Sequence, residues 1–478
     1  MNPKFELAIF NGRIIDPERE VEFVGNLGIN NGVIEYIGSN SVKGVKELDC
    51  TGLTISPGFI DLHSHGQDPE NYLIQASDGV TSALELEYGT DDVEAWYSSR
   101  KGRACVNYGV SVGHIPVRTT IMNDPAGVTT QISELKGDII RLPIGDGANK
   151  PASELEIKRI NKMIEVGLRN GAVAVGMGIA YTPGASWWEV LEVFKLAFKF
   201  NAVCHVHMRG WGPSPPNDAV EGLSELIAAS AISGASLHLV HIGSSGNVMV
   251  PELLSMIKDA CLNGLDVTTE CYPYSAGMTG IEAPMLNEGW QQKTGMDYAD
   301  LEWADTGERL DENTFNKYRE IGGMVILHMI PDKIVDLAVS SDITMIATDG
   351  YIKNGKGHPR TAGSYAKVLG EYVRTKKSIS LINAIRKMSL MPALRLQKLV
   401  PSMKNKGRIK IGSDADLAIF DSDKITDNAT YSNPTLQPVG MVHVIVNGKI
   451  VVENEKVDLT ADYGKPIRST NKYNRFID

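Results

Sequence analysis

The feature that most limits what this chain can fold into is an alternation through its middle: short apolar runs, each followed by a longer amphipathic segment. Apolar runs at 80–87, 104–112, 171–178, 202–207, 236–241, 266–271 and 344–349 join an earlier one at 56–62, making eight. Between them, segments such as 153–170, 187–200, 218–233 and 251–262 place apolar residues at helical spacing. Strands apolar on both faces, interleaved with helices, build a buried parallel sheet. Eight such units predict an α/β fold of the TIM (β/α)8 barrel type, whose functional groups sit where strands end. A further apolar run at 325–329 is either an additional strand or part of an insertion.

The two ends of the chain have a different texture. Near the start, Leu7-Ala8-Ile9-Phe10 meets Asn11-Gly12, and Asn30-Asn31-Gly32 precedes Val33-Ile34-Glu35-Tyr36-Ile37. Asn-Gly between apolar runs is a hairpin signal. The pattern returns in Asp416-Leu417-Ala418-Ile419-Phe420 and Val442-His443-Val444-Ile445-Val446-Asn447-Gly448. We therefore expect one composite β-sandwich domain from residues 1–56 and 403–478, flanking a barrel over 57–402. A chain of 478 residues accommodates both.

Ligand-type side chains stand where the predicted strands end. The first run closes on His63-Ser64-His65, the second on Glu85-Leu86-Glu87, the fifth on His205-Val206-His207, the sixth on His241 and the eighth on Asp349. Residues two apart on a strand share a face, so His-x-His can aim both rings at one ion. Imidazole and carboxylate together suit zinc and its neighbours, with a position left open for water. His205 lies deeper than His207 and reads as packing or as support for the ligands, with a ligand role as its alternative, and His238, three residues before His241, should point away from it.

The motifs that carry a family likeness are Pro57-Gly58-Phe59-Ile60-Asp61-Leu62-His63-Ser64-His65, Gly79-Val80-Thr81, Gly176-Met177-Gly178-Ile179-Ala180-Tyr181-Thr182-Pro183-Gly184, His207-Met208-Arg209, Tyr272-Pro273-Tyr274, Asp349-Gly350, His358-Pro359-Arg360 and Gly412-Ser413-Asp414-Ala415-Asp416-Leu417. Over nearly its whole length the sequence resembles the amidohydrolase superfamily, and within it the D-aminoacylase (N-acyl-D-amino-acid deacylase) branch. The resemblance implies that His63, His65, His207 and His241 hold one or two divalent ions, zinc first and manganese as an alternative, with Asp349 the catalytic acid/base. Two departures bear on the metal ligands. The fourth strand lacks the lysine that bridges metals in many superfamily members, and Tyr88 stands where D-aminoacylases carry a cysteine. Since a carboxylate can bridge two cations, Glu87 is assigned as the missing ligand, with Glu85 in reserve. Arg360 and His358 are expected at the substrate, as are Tyr272, Tyr274, Ser275 and Arg209, the last having a bracing role as its alternative. The lysine that follows the sixth strand in D-aminoacylases is absent from His241-Ile242-Gly243. Residues 282–322 read as an insertion at the barrel mouth.

The expected activity is metal-dependent hydrolysis of a C–N bond in a small acyclic amide. Cyclic-amide hydrolysis or deamination is the alternative within the superfamily, and a non-catalytic binding module the alternative outside it. A net charge of -11 disfavours nucleic acid. No apolar stretch reaches membrane-span length and the first residues lack a secretory pattern, so a cytoplasmic protein is expected. Its five scattered cysteines form no Cys-x-x-Cys pair and read as packing residues. A homo-oligomer is compatible with all of this.

Overall fold

A computed structural model describes residues 4–125, 130–131, 139–140, 142–216 and 218–470. The outermost parts of the composite unit, 1–3 and 471–478, lie outside these. Eight parallel strands form the central sheet: β1 (Phe59–Asp61), β2 (Val80–Thr90), β3 (Asn107–Gly113), β4 (Val175–Gly178), β5 (Val203–His207), β6 (Ser236–Leu239), β7 (Val267–Cys271) and β8 (Thr344–Ile346). They run in sequence order, each pairing with the next until β7 meets β8. Closure follows at the ends of β8 and β1, where Ser64 bridges Gly350 and the Asp349 N–H donates to the His63 carbonyl at 2.7 Å.

The intervening helices follow their local signals. In Glu154–Arg169, Ser153 caps the start, Glu156 completes a capping box, and Ile157, Ile160, Ile164 and Leu168 face the barrel at 3- and 4-residue spacing. Asp218 caps Ala219–Ser233, and Gly234 ends it in the left-handed conformation. Phe59, Leu84, Val110, Val175, Val206, Leu239 and Ile346 on the strands join one large apolar core with the surrounding helices. Gly176 lets β4 approach β2 closely, because a Cβ there would lie 2.3 Å from the Glu87 carbonyl oxygen.

Nine strands from both ends of the chain join a second sheet. Phe5–Asp16 lies near its middle, pairing with Val21–Asn30, Gly44–Asp49 and Thr54–Pro57; the last of these pairs in turn with Leu417–Phe420. Leu7, Ile9, Ile14, Leu27, Ile55, Leu417 and Ile445 give it a core of its own. Buried Asp416 ties this sheet to the barrel, accepting from Asn107 on β3 and from Lys406. The segment Met324–His328 is not a barrel strand: it pairs with Ala276–Gly280 and Leu301–Trp303 in a four-stranded sheet, whose core includes Trp303 stacked on Tyr318 at 4.1 Å. That insertion follows β7 and stands over the mouth of the barrel. Among the described residues, no helix is long and apolar enough to cross a membrane.

Candidate metal centre

The first and last barrel strands are pinned together beneath the site. The buried Asp61 carboxylate accepts from the His63 and Thr348 backbone N–H groups and from the Thr348 hydroxyl. Beyond that latch the backbone turns sharply. Asp349 has φ of 50° and His241 has φ of 29°, both in the region that residues with a Cβ rarely adopt. Such strain persists only where its surroundings enforce it. Here it turns both side chains inward at the C-terminal ends of β8 and β6.

His63, His65, Glu87 and Asp349 bring one donor atom each within 4.8 Å of one another, and Glu87, His207 and His241 do the same. Glu87 belongs to both groups. Its Oε2 lies 2.8 Å from His63 Nε2 and 3.3 Å from His65 Nε2, while its Oε1 lies 2.8 Å from His207 Nδ1 and 3.8 Å from His241 Nε2. One carboxylate thus faces two imidazole pairs, one through each oxygen. Asp349 Oδ1 completes the first group, 3.3 Å from His63 Nε2 and 3.2 Å from His65 Nε2. Glu85 shares the inward face of β2 but stays outside both groups, meeting His65 Nδ1 at 2.5 Å and accepting from the Tyr88 and Gly89 N–H groups.

On His63 and His241 the ring nitrogens that face away from the centre are engaged as well. Glu270 Oε1 lies 2.6 Å from His63 Nδ1, and the hydroxyls of Ser244 and Ser245 lie 2.9 and 3.0 Å from His241 Nδ1. Partners of this kind fix the tautomer and ring plane of a metal-binding histidine. His238 bonds Glu270 Oε2 at 3.0 Å, and His205 packs on the His238 ring at 4.5 Å between centroids; both are fully buried below the centre.

Charge decides what the centre can hold. Glu85, Glu87, Glu270 and Asp349 surround the imidazoles, and the Arg360 guanidinium lies beside Asp349. Burial disfavours charge on His63 and His65, yet Asp349, Glu270 and Glu87 around the first, and Glu85 and Asp349 around the second, hold both well above the ordinary imidazole range. Burial opposes the charge on Glu87 too, but His63, His207 and His241 hold it well below the usual carboxylate range. For His207, burial and then neighbouring His241 depress the pKa, leaving it neutral. A negative pocket that attracts protons to Nε2 attracts a divalent cation at the same lone pairs, so metal and protons compete for the site. The donor set, nitrogen and carboxylate oxygen around a shared bridging group, fits zinc or a neighbouring divalent ion.

Above the centre opens a cavity lined by His65, Glu87, His207, His241, Asp349 and Arg360 on its floor, with Ile115, Leu142, Trp211, Met278, Met285, Met324, Leu327 and Met329 among its walls. Arg360, 1% exposed, sets its guanidinium over the Tyr272 ring at 4.5 Å and places Nη1 2.8 Å from Asp349 Oδ2. The approach is off the hydrogen-bond axis, so the contact is chiefly electrostatic, and Nε and Nη1 have no in-line acceptor. Tyr272 also lines the cavity, as does Tyr181, whose hydroxyl meets Thr279 of the insertion at 3.2 Å.

Four residues expected at the substrate are placed elsewhere. Arg209 is spent on Glu225 and on the Pro183 and Ala185 carbonyls, the bracing alternative. His358 is buried, with Nε2 donating to the Ala276 carbonyl and Nδ1 accepting from the Arg360 N–H. Tyr274 turns to Asp427, and it lines, with Ser275, a separate groove beside Lys367 and Tyr431. The two phenols of Tyr-Pro-Tyr thus part, Tyr272 lining the cavity and Tyr274 bonding Asp427. Sequence reasoning missed Glu270, Tyr181, Ser244, Ser245 and the methionine wall. Of these, only the serines carried a local signal, three and four residues after His241.

No family model matches the chain. Individual proteins do. It is 26% identical to the N-acyl-D-glutamate deacylase of Alcaligenes xylosoxydans xylosoxydans, covering 94% of each chain. It is 25% identical to the D-aminoacylase of that organism, covering 94% of this chain and 95% of the relative. Among solved structures, the N-acyl-D-glutamate deacylase of Bordetella bronchiseptica, complexed with zinc and a phosphonate mimic of the tetrahedral intermediate, superposes with a TM-score of 0.81 at 22% identity, covering 98% of this chain and all 100% of that one. The barrel, the second sheet and the full-length likeness agree in making the chain similar to the D-aminoacylase branch of the amidohydrolase superfamily.

Proposed function

We propose that this protein is a metal-dependent amidohydrolase that deacylates an N-acyl amino acid of D configuration with one carboxylate and an apolar side chain. The single observation that carries the reading is Glu87, which offers one oxygen to His63 and His65 and the other toward His207 and His241, directly beside Asp349. A non-catalytic scaffold has no physical need for such a buried donor set.

His63, His65, Glu87, His207 and His241 would hold a divalent ion, which would supply a polarised amide carbonyl and a water whose pKa is lowered to about 7. Asp349 Oδ1 faces the same point, so it takes the water's proton, directs attack on the acyl carbon and returns the proton to the departing nitrogen. Although burial opposes it, the Arg360 guanidinium and His63 hold the Asp349 carboxyl well below the usual carboxylate range, ready to accept. General acid/base assistance of this kind is worth about a hundredfold to ten-thousandfold.

Arg360, with donors to spare at the cavity floor, suits the substrate's carboxylate. The walls beyond it supply thioethers and aliphatic carbons, and the acid Glu282. A second carboxylate, such as a glutamate or aspartate side chain brings, would face desolvation there without a cation. The D configuration rests on the relatives. Amine release from N-acetyl-D-methionine, D-leucine, D-glutamate, the L-forms and hydantoins tests the reading, using zinc-loaded enzyme. Apolar D-substrates should exceed N-acetyl-D-glutamate at least tenfold in kcat/KM; preference for hydantoins, L-forms or the acidic substrate would overturn it.

A further inference from the structure

Below the metal centre, a chain of polar side chains crosses the barrel core away from the substrate cavity. Glu270 lies on β7 with both carboxylate oxygens engaged, Oε1 on His63 Nδ1 at 2.6 Å and Oε2 on His238 Nε2 at 3.0 Å. His238 Nδ1 in turn meets the Thr268 hydroxyl at 2.8 Å, and Arg395 Nη1 reaches that hydroxyl at 3.4 Å while forking onto Asp266. We infer that Glu270 is a positioning residue for the metal centre, fixing the tautomer and plane of His63, and that His238 holds Glu270 in place. The inference rests on reading the cluster above as a metal site.

The direction of every hydrogen bond in this chain follows from its ends. A guanidinium can only donate and an ionised carboxylate can only accept. Arg395 therefore donates to the Thr268 oxygen, Thr268 donates to His238 Nδ1, and His238 donates from Nε2 to Glu270. The same logic places a proton on His63 Nδ1, facing Glu270, so that Nε2, the nitrogen that faces Glu87, His65 and Asp349, is the one whose lone pair a metal would take in exchange for a proton. A metal needs that lone pair.

Packing alone gives no reason for the arrangement. A carboxylate 1% exposed in a barrel core loses more hydration than an apolar residue of its size would. Glu85 stands in the same relation to His65, so each ring of the His-x-His pair has a carboxylate behind it. His205, packed on the His238 ring, restrains that ring's tilt.

Glu270→Gln keeps the shape, but its amide can donate to His63 Nδ1 and so shift the ring proton to Nε2. Chelator competition with zinc alone, on metal-free protein shown by circular dichroism to be folded, should show zinc binding weakened about 10- to 100-fold. His238→Gln retains a donor toward Glu270 and should bind zinc as the wild type does, whereas His238→Leu should weaken it. Wild-type zinc affinity in Glu270→Gln overturns the inference. If Glu270→Gln does not fold, the His238 pair decides, and equal zinc affinity in Gln and Leu overturns it. A wild-type protein that binds no zinc in this titration would refute both the inference and the metal-site reading, whereas tight binding by wild type and Glu270→Gln alike would refute the inference only.

Discussion

Replacing Asp349 with asparagine separates two contributions that the structure joins in one side chain. Asp349 Oδ1 faces the imidazoles of His63 and His65 at 3.3 and 3.2 Å, whereas Oδ2 faces Arg360 Nη1 at 2.8 Å. Losing the proton carrier should lower kcat about a hundredfold to ten-thousandfold, or roughly 3–5 kcal/mol of transition-state stabilisation. The same change leaves a buried guanidinium without its counter-charge, a loss of about 3–5 kcal/mol in stability. The two effects appear in different observables, and Arg360→Met tells them apart. In the Asp349→Asn/Arg360→Met double variant no uncompensated charge remains, so stability in denaturant should recover most of the loss while turnover stays lost. Turnover is measured as amine release at saturating substrate and zinc, with metal content determined on the same samples because Asp349 also borders the metal donors. The reasoning fails if the double variant regains kcat, which would make Asp349 only a partner for Arg360. It fails equally if Asp349→Asn keeps more than about a tenth of the wild-type rate with metal in place.

Two further outcomes follow from other parts of the molecule. Met324→Lys puts a cation into the apolar wall of the cavity, and it should raise kcat/KM for N-acetyl-D-glutamate relative to N-acetyl-D-leucine by about tenfold or more; an unchanged ratio would remove the wall from substrate selection. Lys387 is buried, and burial lowers its pKa to about 8, although its ammonium donates to the Val339 and Ser341 carbonyls and to Thr344. An unfolded lysine titrates near 10.4, so the unfolded chain binds the extra proton between about pH 8 and pH 10.4. The penalty is complete below pH 8 and fades as pH rises, making the wild type gain about 3 kcal/mol relative to Lys387→Met across that window. Denaturant titrations of the two proteins at pH 7.5, 9 and 10.5 would show it, and a constant difference would contradict it.

Local pattern carried the architecture. The barrel strands announced themselves as largely apolar runs because a sheet covered on both faces buries most of its side chains. The residues at their ends could be paired by parity alone: His63 with His65, and Glu85 with Glu87. Parity could not choose between the two glutamates, since both face inward. Depth along the strand chose, setting Glu87 between the imidazole pairs and Glu85 behind His65.

By itself, the sequence determined the barrel, the second sheet drawn from both chain ends, and the histidines and Asp349 as candidates, because strand periodicity and hairpin turns are properties of neighbouring residues. Tertiary structure alone decided that Arg360 would face Asp349 while His358, two residues earlier, would brace the backbone, that Tyr272 and Tyr274 would part, and that Glu270 would stand behind His63. Those outcomes depend on where separate loops and strands meet around a closed barrel, and a side chain's partner across 207 residues of sequence leaves no trace in the spacing of its neighbours.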